Sequence, residues 1–106
     1  MPTFEDREKE FEARFKHDEE LRFKVTARRN RLAGLWAAEK MGLSGADAET
    51  YAKSIVAAEF DKGGEQHVVD KLVADLAAKG QSVTAAQVRF ELEHFAETAK
   101  QQVMSE

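Results

Sequence analysis

The spacing of apolar residues is the feature that most restricts how this chain folds. Along most of the sequence they recur every three or four positions, and the two-residue alternation typical of strands is missing. Good helix formers fill the intervening positions. Three runs carry the pattern most clearly: Ala48, Tyr51, Ile55 and Ala58; Val68, Val69, Leu72 and Leu76; and Val88, Leu92, Phe95 and Ala99. The spacing therefore predicts an all-α protein in which each helix buries one apolar stripe.

Capping residues and glycines divide the chain into four predicted helices. Thr3 followed by Asp6 marks the first start, and Thr84 followed by Gln87 forms the capping box that marks the last. The four predicted helices run from Phe4 to Met41, from Ser44 to the Gly63-Gly64 pair, from Glu65 to Lys79 and from Thr84 to Gln102. Because the linkers are short, consecutive helices should be antiparallel neighbours, so we expect a four-helix bundle with a long N-terminal helix.

Composition excludes several classes of protein. With 106 residues, 42% of them hydrophobic, the chain forms one domain with a modest core. The absence of cysteine excludes a disulfide scaffold and a cysteine-ligated zinc site. A net charge of −4 disfavours nucleic-acid binding. The longest apolar run, Leu32 to Ala38, is too short to insert in a membrane, and the charged opening is unlike a secretory signal, so we expect a cytoplasmic protein.

The predicted first helix is too long for the rest of the bundle. It would span roughly 57 Å, whereas the other three would span about 22 to 27 Å. Its two halves also carry apolar stripes that point in different directions. The first stripe contains Phe4, Phe11 and Phe15, and the second, centred roughly 70° away, contains Leu21, Val25, Leu32 and Trp36. The first half therefore lacks a surface on which to pack.

This mismatch predicts two functional regions. We expect residues 1–18 to be a mobile or projecting partner-binding segment, and residues 19–106 to be the helical bundle that anchors it. The core of the bundle should include Leu32, Trp36, Leu72 and Leu92, with Trp36 as its largest member. In the alternative interpretation, the chain bends between His17 and Glu20 and lays the three phenylalanines on its own bundle.

Two other constellations are weaker. Glu91 and His94 have the Glu-x-x-His spacing of di-iron bundles, but such a site needs a second pair and two further carboxylates, so we predict neither a metal site nor a catalytic residue. Arg28, Arg29 and Arg31 form a basic patch bracketed by acidic residues. We expect these arginines to pair with acidic residues of neighbouring helices, among which Glu59, Asp61, Asp70, Asp75, Glu91 and Glu93 are available.

The first two fifths of the chain resemble a known family. The run from Ala27 to Gly42 resembles the zeta-type inhibitor subunit of alphaproteobacterial F-type ATP synthases. The stretches from Thr3 to Glu8 and from Phe11 to Asp18 are similar to the start of the same family. Beyond these motifs, the likeness lies in the helix lengths, in Tyr51-Ala52 and in the glycine turn after Asp61.

The resemblance implies a function without chemistry of its own. Members are four-helix bundles whose N-terminal segment inserts at a catalytic interface in the head of the synthase, formed by the alpha, beta and gamma subunits, and stops ATP hydrolysis. Phe4, Phe11 and Phe15 would be the apolar contacts, and Arg7 and Arg14 the charged ones. The protein would then be cytoplasmic and peripherally associated with the membrane-bound synthase. Weak nucleotide binding is implied by the family alone, because the sequence has no phosphate-cradling motif and predicts no cofactor.

A second interpretation stays open from the residues themselves. A helical adaptor could use the same phenylalanine stripe to bind another cytosolic protein. Inhibition of ATP hydrolysis by purified synthase heads separates the two interpretations.

Overall fold

The computed structural model describes residues 3–61 and 63–106, and in this part of the chain it contains five α-helices and no strand. The helices are α1 (Phe4–His17), α2 (Glu19–Lys40), α3 (Gly45–Asp61), α4 (Gly64–Ala78) and α5 (Ala85–Met104). The all-α prediction is confirmed. The four-helix bundle with one long N-terminal helix is not confirmed, because the predicted first helix is divided into two helices, α1 and α2.

Asp18 divides the predicted first helix. Its backbone is extended, with φ −106° and ψ 102°. Its side chain accepts a hydrogen bond from the Leu21 N–H at 3.0 Å, so it caps the start of α2, and Glu19 and Glu20 place further negative charge at the positive end of that helix. Aspartate gains more as an N-cap than inside a helix, which explains the break. The bend thus lies within the range of the alternative interpretation, His17 to Glu20.

Local capping fixes other helix ends as predicted. Thr3 and Asp6 form a capping box with two hydrogen bonds of 3.1 Å, and Thr84 and Gln87 form another with bonds of 2.8 and 3.1 Å. Both predicted starts are confirmed. Between α4 and α5 the chain turns at Gly80, whose φ of +78° is easily adopted by glycine.

The main core lies between α2, α3, α4 and α5. It consists of Ala33, Ala37, Ile55, Ala58, Val68, Val69, Leu72, Leu76, Val88 and Leu92. α2 and α3 approach closely because Gly34 has no side chain, and a Cβ placed there would lie 2.7 Å from the Ala52 Cα. Trp36 is only half-buried at the edge of this core, with its ring 6.3 Å from that of Phe95. The interior is therefore filled by aliphatic side chains rather than by the tryptophan.

We call the four helices α2–α5 the body. A second, smaller apolar cluster, which we call the α1 joint, connects α1 to the body. Its buried residues are Phe11, Val25, Ala99 and Val103, and the partly buried Phe15, Leu21, Leu32 and Met104 pack against them. Leu32, predicted as bundle core, thus belongs to the joint, whereas Leu72 and Leu92 lie in the main core. α1 is docked on the body in this structure instead of projecting from it.

Candidate functional site: the N-terminal helix and its joint

α1 carries the five residues that the sequence singles out for partner binding. Both ends of α1 have hydrogen-bond partners. The Thr3–Asp6 capping box lies at the start, and Arg22 of α2 lies at the end. The Arg22 guanidinium donates to the carbonyls of Phe15 at 3.2 Å and Lys16 at 2.7 Å. Because both ends of α1 have hydrogen-bond partners, the segment is a defined helix of 14 residues.

The five candidate residues differ in how far the body covers them. Phe4, Arg7 and Arg14 are exposed, and Phe4 keeps 59% of its surface accessible. Phe11 retains only 7%, and Phe15 is half-buried with its ring stacked 6.3 Å from that of Phe11. The predicted phenylalanine stripe is therefore split between one ring open to a partner and two rings turned towards the body.

The inner side of α1 packs on apolar side chains of α2 and α5. Phe11 is buried in one cluster with Val25 of α2 and with Ala99 and Val103 of α5. Burying such an aromatic ring stabilises the contact by about 2 to 3 kcal/mol before the cost of ordering is counted.

Lys100 of α5 contacts α1 in two ways. Its Nζ lies 4.6 Å from the centroid of the Phe15 ring and 3.6 Å from a carboxylate oxygen of Glu12. The first contact is a cation–π interaction and the second is an ion pair. Glu12 therefore pairs across the joint, although its spacing to Lys16 allows a pair within the helix.

The outer side of α1 is strongly charged. Lys9 and Lys16 are exposed on the side away from Phe11, and Glu5, Glu8, Arg7 and Arg14 are exposed at other positions around the helix. Arg14 lies 3.8 Å from Asp18, a distance at which an exposed pair leaves the guanidinium largely available to water or to a partner. This side of the helix suits contact with a polar protein surface rather than with a hydrophobic groove.

In the body beneath α1, the Glu106 carboxylate connects the end of the chain to α2. Glu106 accepts from Lys24 at 2.6 Å and also from Arg28, which in addition donates to the Gln102 side chain at 3.2 Å. The hydrogen bond from Lys24, followed by that from Arg28, lowers the pKa of Glu106. This network links the end of α5 to the first half of α2, the two elements on which α1 rests.

The arginines of the basic patch on α2 form ion pairs with acidic residues elsewhere in the body. Arg29 bonds to Glu59 at 2.5 Å and to Glu65 at 3.0 Å, and Arg31 bonds to Glu49 at 2.8 Å. The prediction that these arginines pair with acids of neighbouring helices is confirmed, and Glu59 is among the acids named. Asn30 is fully buried and donates to Glu59 at 3.0 Å. The sequence does not predict this burial, because Asn30 lies among charged arginines.

Three exposed aromatic residues were not singled out by the sequence. Phe23 and Phe60 are half-exposed and stack on each other with ring centroids 4.5 Å apart, where α2 begins and α3 ends. Phe90 of α5 keeps 69% of its surface accessible. These phenylalanines fall outside the apolar stripes of their helices, which is the signal by which the sequence could have identified them.

Tyr51 is held in place by an acidic partner. Its hydroxyl donates to Asp75 at 2.8 Å, and Lys71 donates to the same carboxylate oxygen at 2.9 Å. Burial, followed by the hydrogen bond to Asp75, raises the pKa of the Tyr51 phenol. The group is therefore a neutral, structural link between α3 and α4.

Residues 3–61 and 63–106 contain neither a cluster of metal-ligating side chains nor a membrane-spanning helix. In these ranges no three histidine, aspartate or glutamate side chains are grouped so that they could hold a metal ion. His94 is exposed, with its ring 5.6 Å from that of Phe95. In the same ranges no helix has the length and apolar character required to cross a bilayer.

Comparison with known proteins gives a family match and matches to solved structures. The model of the family ATPase inhibitor subunit zeta matches residues 1–102. A protein whose structure was determined in solution by NMR is 41% identical, with a TM-score of 0.70, and the match covers 80% of this chain and 96% of that one. No curated protein sequence matches this chain. The family match includes α1, the main core and all of the joint except Val103 and Met104.

Proposed function

This chain belongs to the ATPase inhibitor subunit zeta family, and from that premise we propose that α1 inserts at a catalytic interface in the head of the F-type ATP synthase and stops ATP hydrolysis. Membership by itself establishes ATPase inhibition as the family's role and an ATP synthase as the partner. The proposal adds the segment that acts and the place where it binds, between the alpha, beta and gamma subunits. The family match across residues 1–102 is the observation that carries it.

The architecture of α1 supports its role as the inserted element. It is a separate helix with its own caps, it is joined to the body through one extended residue, Asp18, and its outer side is charged and exposed. A preformed helix loses less conformational entropy on binding than a disordered segment does. The remaining helices form a body with its own core, which suits an anchor that stays outside the interface.

Inhibition follows from a difference in affinity between states of the head. A catalytic interface must close and reopen during each cycle of hydrolysis. A helix that binds a partly closed interface tightly and the next state weakly holds the head in the first state. The chain supplies binding free energy only, so the proposed mechanism requires neither a catalytic residue nor a cofactor.

Phe4, Arg7 and Arg14 are the proposed first contacts. Phe4 offers an exposed ring, and the two arginines offer guanidinium groups for acidic side chains of the partner. Phe11 and Phe15 complete the contact when they leave the joint. The protein is then cytoplasmic and peripherally associated with the synthase.

Phe4 and Phe90 provide a matched pair for testing the binding surface. Both rings are exposed, at 59% and 69%, so neither Phe4→Ala nor Phe90→Ala removes a core side chain. Each variant is titrated into purified synthase heads while ATP hydrolysis is followed. We expect Phe4→Ala to raise the half-inhibitory concentration about tenfold, because a truncated aromatic contact costs more than 1 kcal/mol.

Phe90→Ala should inhibit like the wild type. Equal potency of all three proteins would contradict the proposed surface on α1. Undiminished hydrolysis at excess wild-type protein would contradict inhibition itself and would favour the adaptor interpretation.

A further inference from the structure

The docked position of α1 conflicts with the use of its apolar side by a partner. Phe11 and Phe15 face the body and are covered by residues of α2 and α5. A partner that binds these rings must therefore compete with Val25, Ala99 and Val103 for the same surface. Since one ring cannot be buried in both places, docking and partner binding exclude each other.

The joint is built so that α1 can leave it as a unit. Asp18 is the one non-helical residue between α1 and α2, and rotation of its backbone would move the whole helix. The capping box of Thr3 and Asp6 lies within the moving part, so it survives the movement. The bonds that must break are those of Arg22 to the last carbonyls of α1 and the two contacts of Lys100.

The covering residues favour a reversible contact. Two of the residues that bury Phe11, Ala99 and Val103, have short side chains. Glu12 and Lys100 contribute an ion pair whose side chains are 46% and 21% exposed, so its strength is reduced by water and salt. The body itself does not depend on these contacts, because its main core contains no residue of α1.

We propose that the docking of α1 on the end of α5 is an autoinhibitory contact, which covers Phe11 and Phe15 and weakens inhibition until α1 is released. The proposal rests on the function proposed above. Its quantitative consequence is that the apparent dissociation constant for the synthase head equals the intrinsic constant divided by the fraction of molecules with α1 released. Loosening the joint therefore makes the inhibitor more potent, the opposite of what loss of a partner contact does.

Reversal of the charge at Lys100 tests the joint. Lys100→Glu replaces an attraction to Glu12 by repulsion and removes the cation from the Phe15 ring. We expect amide hydrogens of α1 in the free protein to exchange about three- to tenfold faster, and the half-inhibitory concentration for ATP hydrolysis by purified heads to fall by a similar factor. Lys100→Gln should shift both quantities in the same direction by less.

Two further variants control for charge and for fold. Lys53→Glu makes the same charge change at an exposed position of α3, and it should leave both quantities unchanged. The exchanged pair Glu12→Lys with Lys100→Glu restores opposite charges across the joint. It should return exchange in α1 towards the wild-type rate, which mere damage to α5 would not do.

The two measurements separate the two proposals. Unchanged exchange in Lys100→Glu would show that this contact does not hold α1 and would overturn the autoinhibitory proposal. Faster exchange with unchanged or weaker inhibition would also overturn it, while leaving inhibition by α1 intact. If neither the wild type nor any variant inhibits, the function proposed above fails, and the autoinhibitory proposal fails with it, even where exchange shows that α1 is docked.

Discussion

The main core and the α1 joint bury apolar side chains in different ways. In the main core, Ile55, Leu72 and Leu76 are completely buried and contact other branched aliphatic residues from several helices. In the joint, Phe11 and Val103 each keep 7% of their surface, and charged groups such as Lys100 lie at its margin. Extensive aliphatic packing favours one rigid arrangement, whereas a smaller cluster with charged groups at its margin favours a contact that opens locally. One small chain thus combines a rigidly packed body with a helix that, as we propose, detaches from it.

The largest effect should come from truncating a main-core residue. Leu72→Ala removes a fully buried side chain from the interior, and the rigid surroundings should leave a cavity. We expect the free energy of unfolding to fall by about 2 to 5 kcal/mol. Thermal or denaturant unfolding, followed by circular dichroism, measures this loss. A much smaller loss would mean that the main core is not the rigid region.

Phe11→Ala should affect the other region and spare the body. Loss of this ring removes most of the apolar contact of α1, but α1 can undock instead of unfolding the protein. We therefore expect the main unfolding transition to move by less than about 1 kcal/mol, while amides of α1 exchange faster. A melting loss equal to that of Leu72→Ala would show that the joint and the main core form one cooperative unit.

The smallest effect should come from Glu106 and should depend on pH. Lys24 and Arg28 lower the pKa of this carboxyl in the folded protein. Its ionised form therefore stabilises the end of α5 at pH values above the usual pKa of a glutamate. The contribution is lost as the pH falls through the lowered value. We expect Glu106→Gln to speed exchange in the last turn of α5 at neutral pH, and the difference from the wild type to vanish in acid. A difference that persists in acid would contradict this assignment.

The sequence predicts what local signals control. The starts of α1 and α5 follow from capping boxes at Thr3 and Thr84, and the glycine turns at Gly63 and Gly80 separate the later helices. These signals act within a few residues, so no knowledge of the fold is needed to interpret them. The break at Asp18 is also local, but aspartate does not interrupt a helical pattern as strongly as glycine or proline does, so the sequence alone does not show whether Asp18 lies inside a helix or caps one.

The sequence does not predict what depends on distant partners. Trp36 is the largest apolar side chain, yet size alone does not decide burial, and the fold places it at an edge. Phe11 is covered because α5 returns to the start of the chain, and the contact of Lys100 with Glu12 joins residues far apart in sequence. The candidate residues of α1 could be found by their pattern, whereas the joint that covers Phe11 and Phe15 needed the three-dimensional structure.

Native-state amide hydrogen exchange of the free protein, at increasing low concentrations of denaturant, is the most direct test of a detachable α1. We predict that amides of residues 5–16 exchange through a local opening that depends little on denaturant, while those of Leu72 and Leu92 exchange only through global unfolding. Identical opening free energies and identical denaturant dependence for the two sets would contradict the account, because α1 would then open only when the whole protein unfolds.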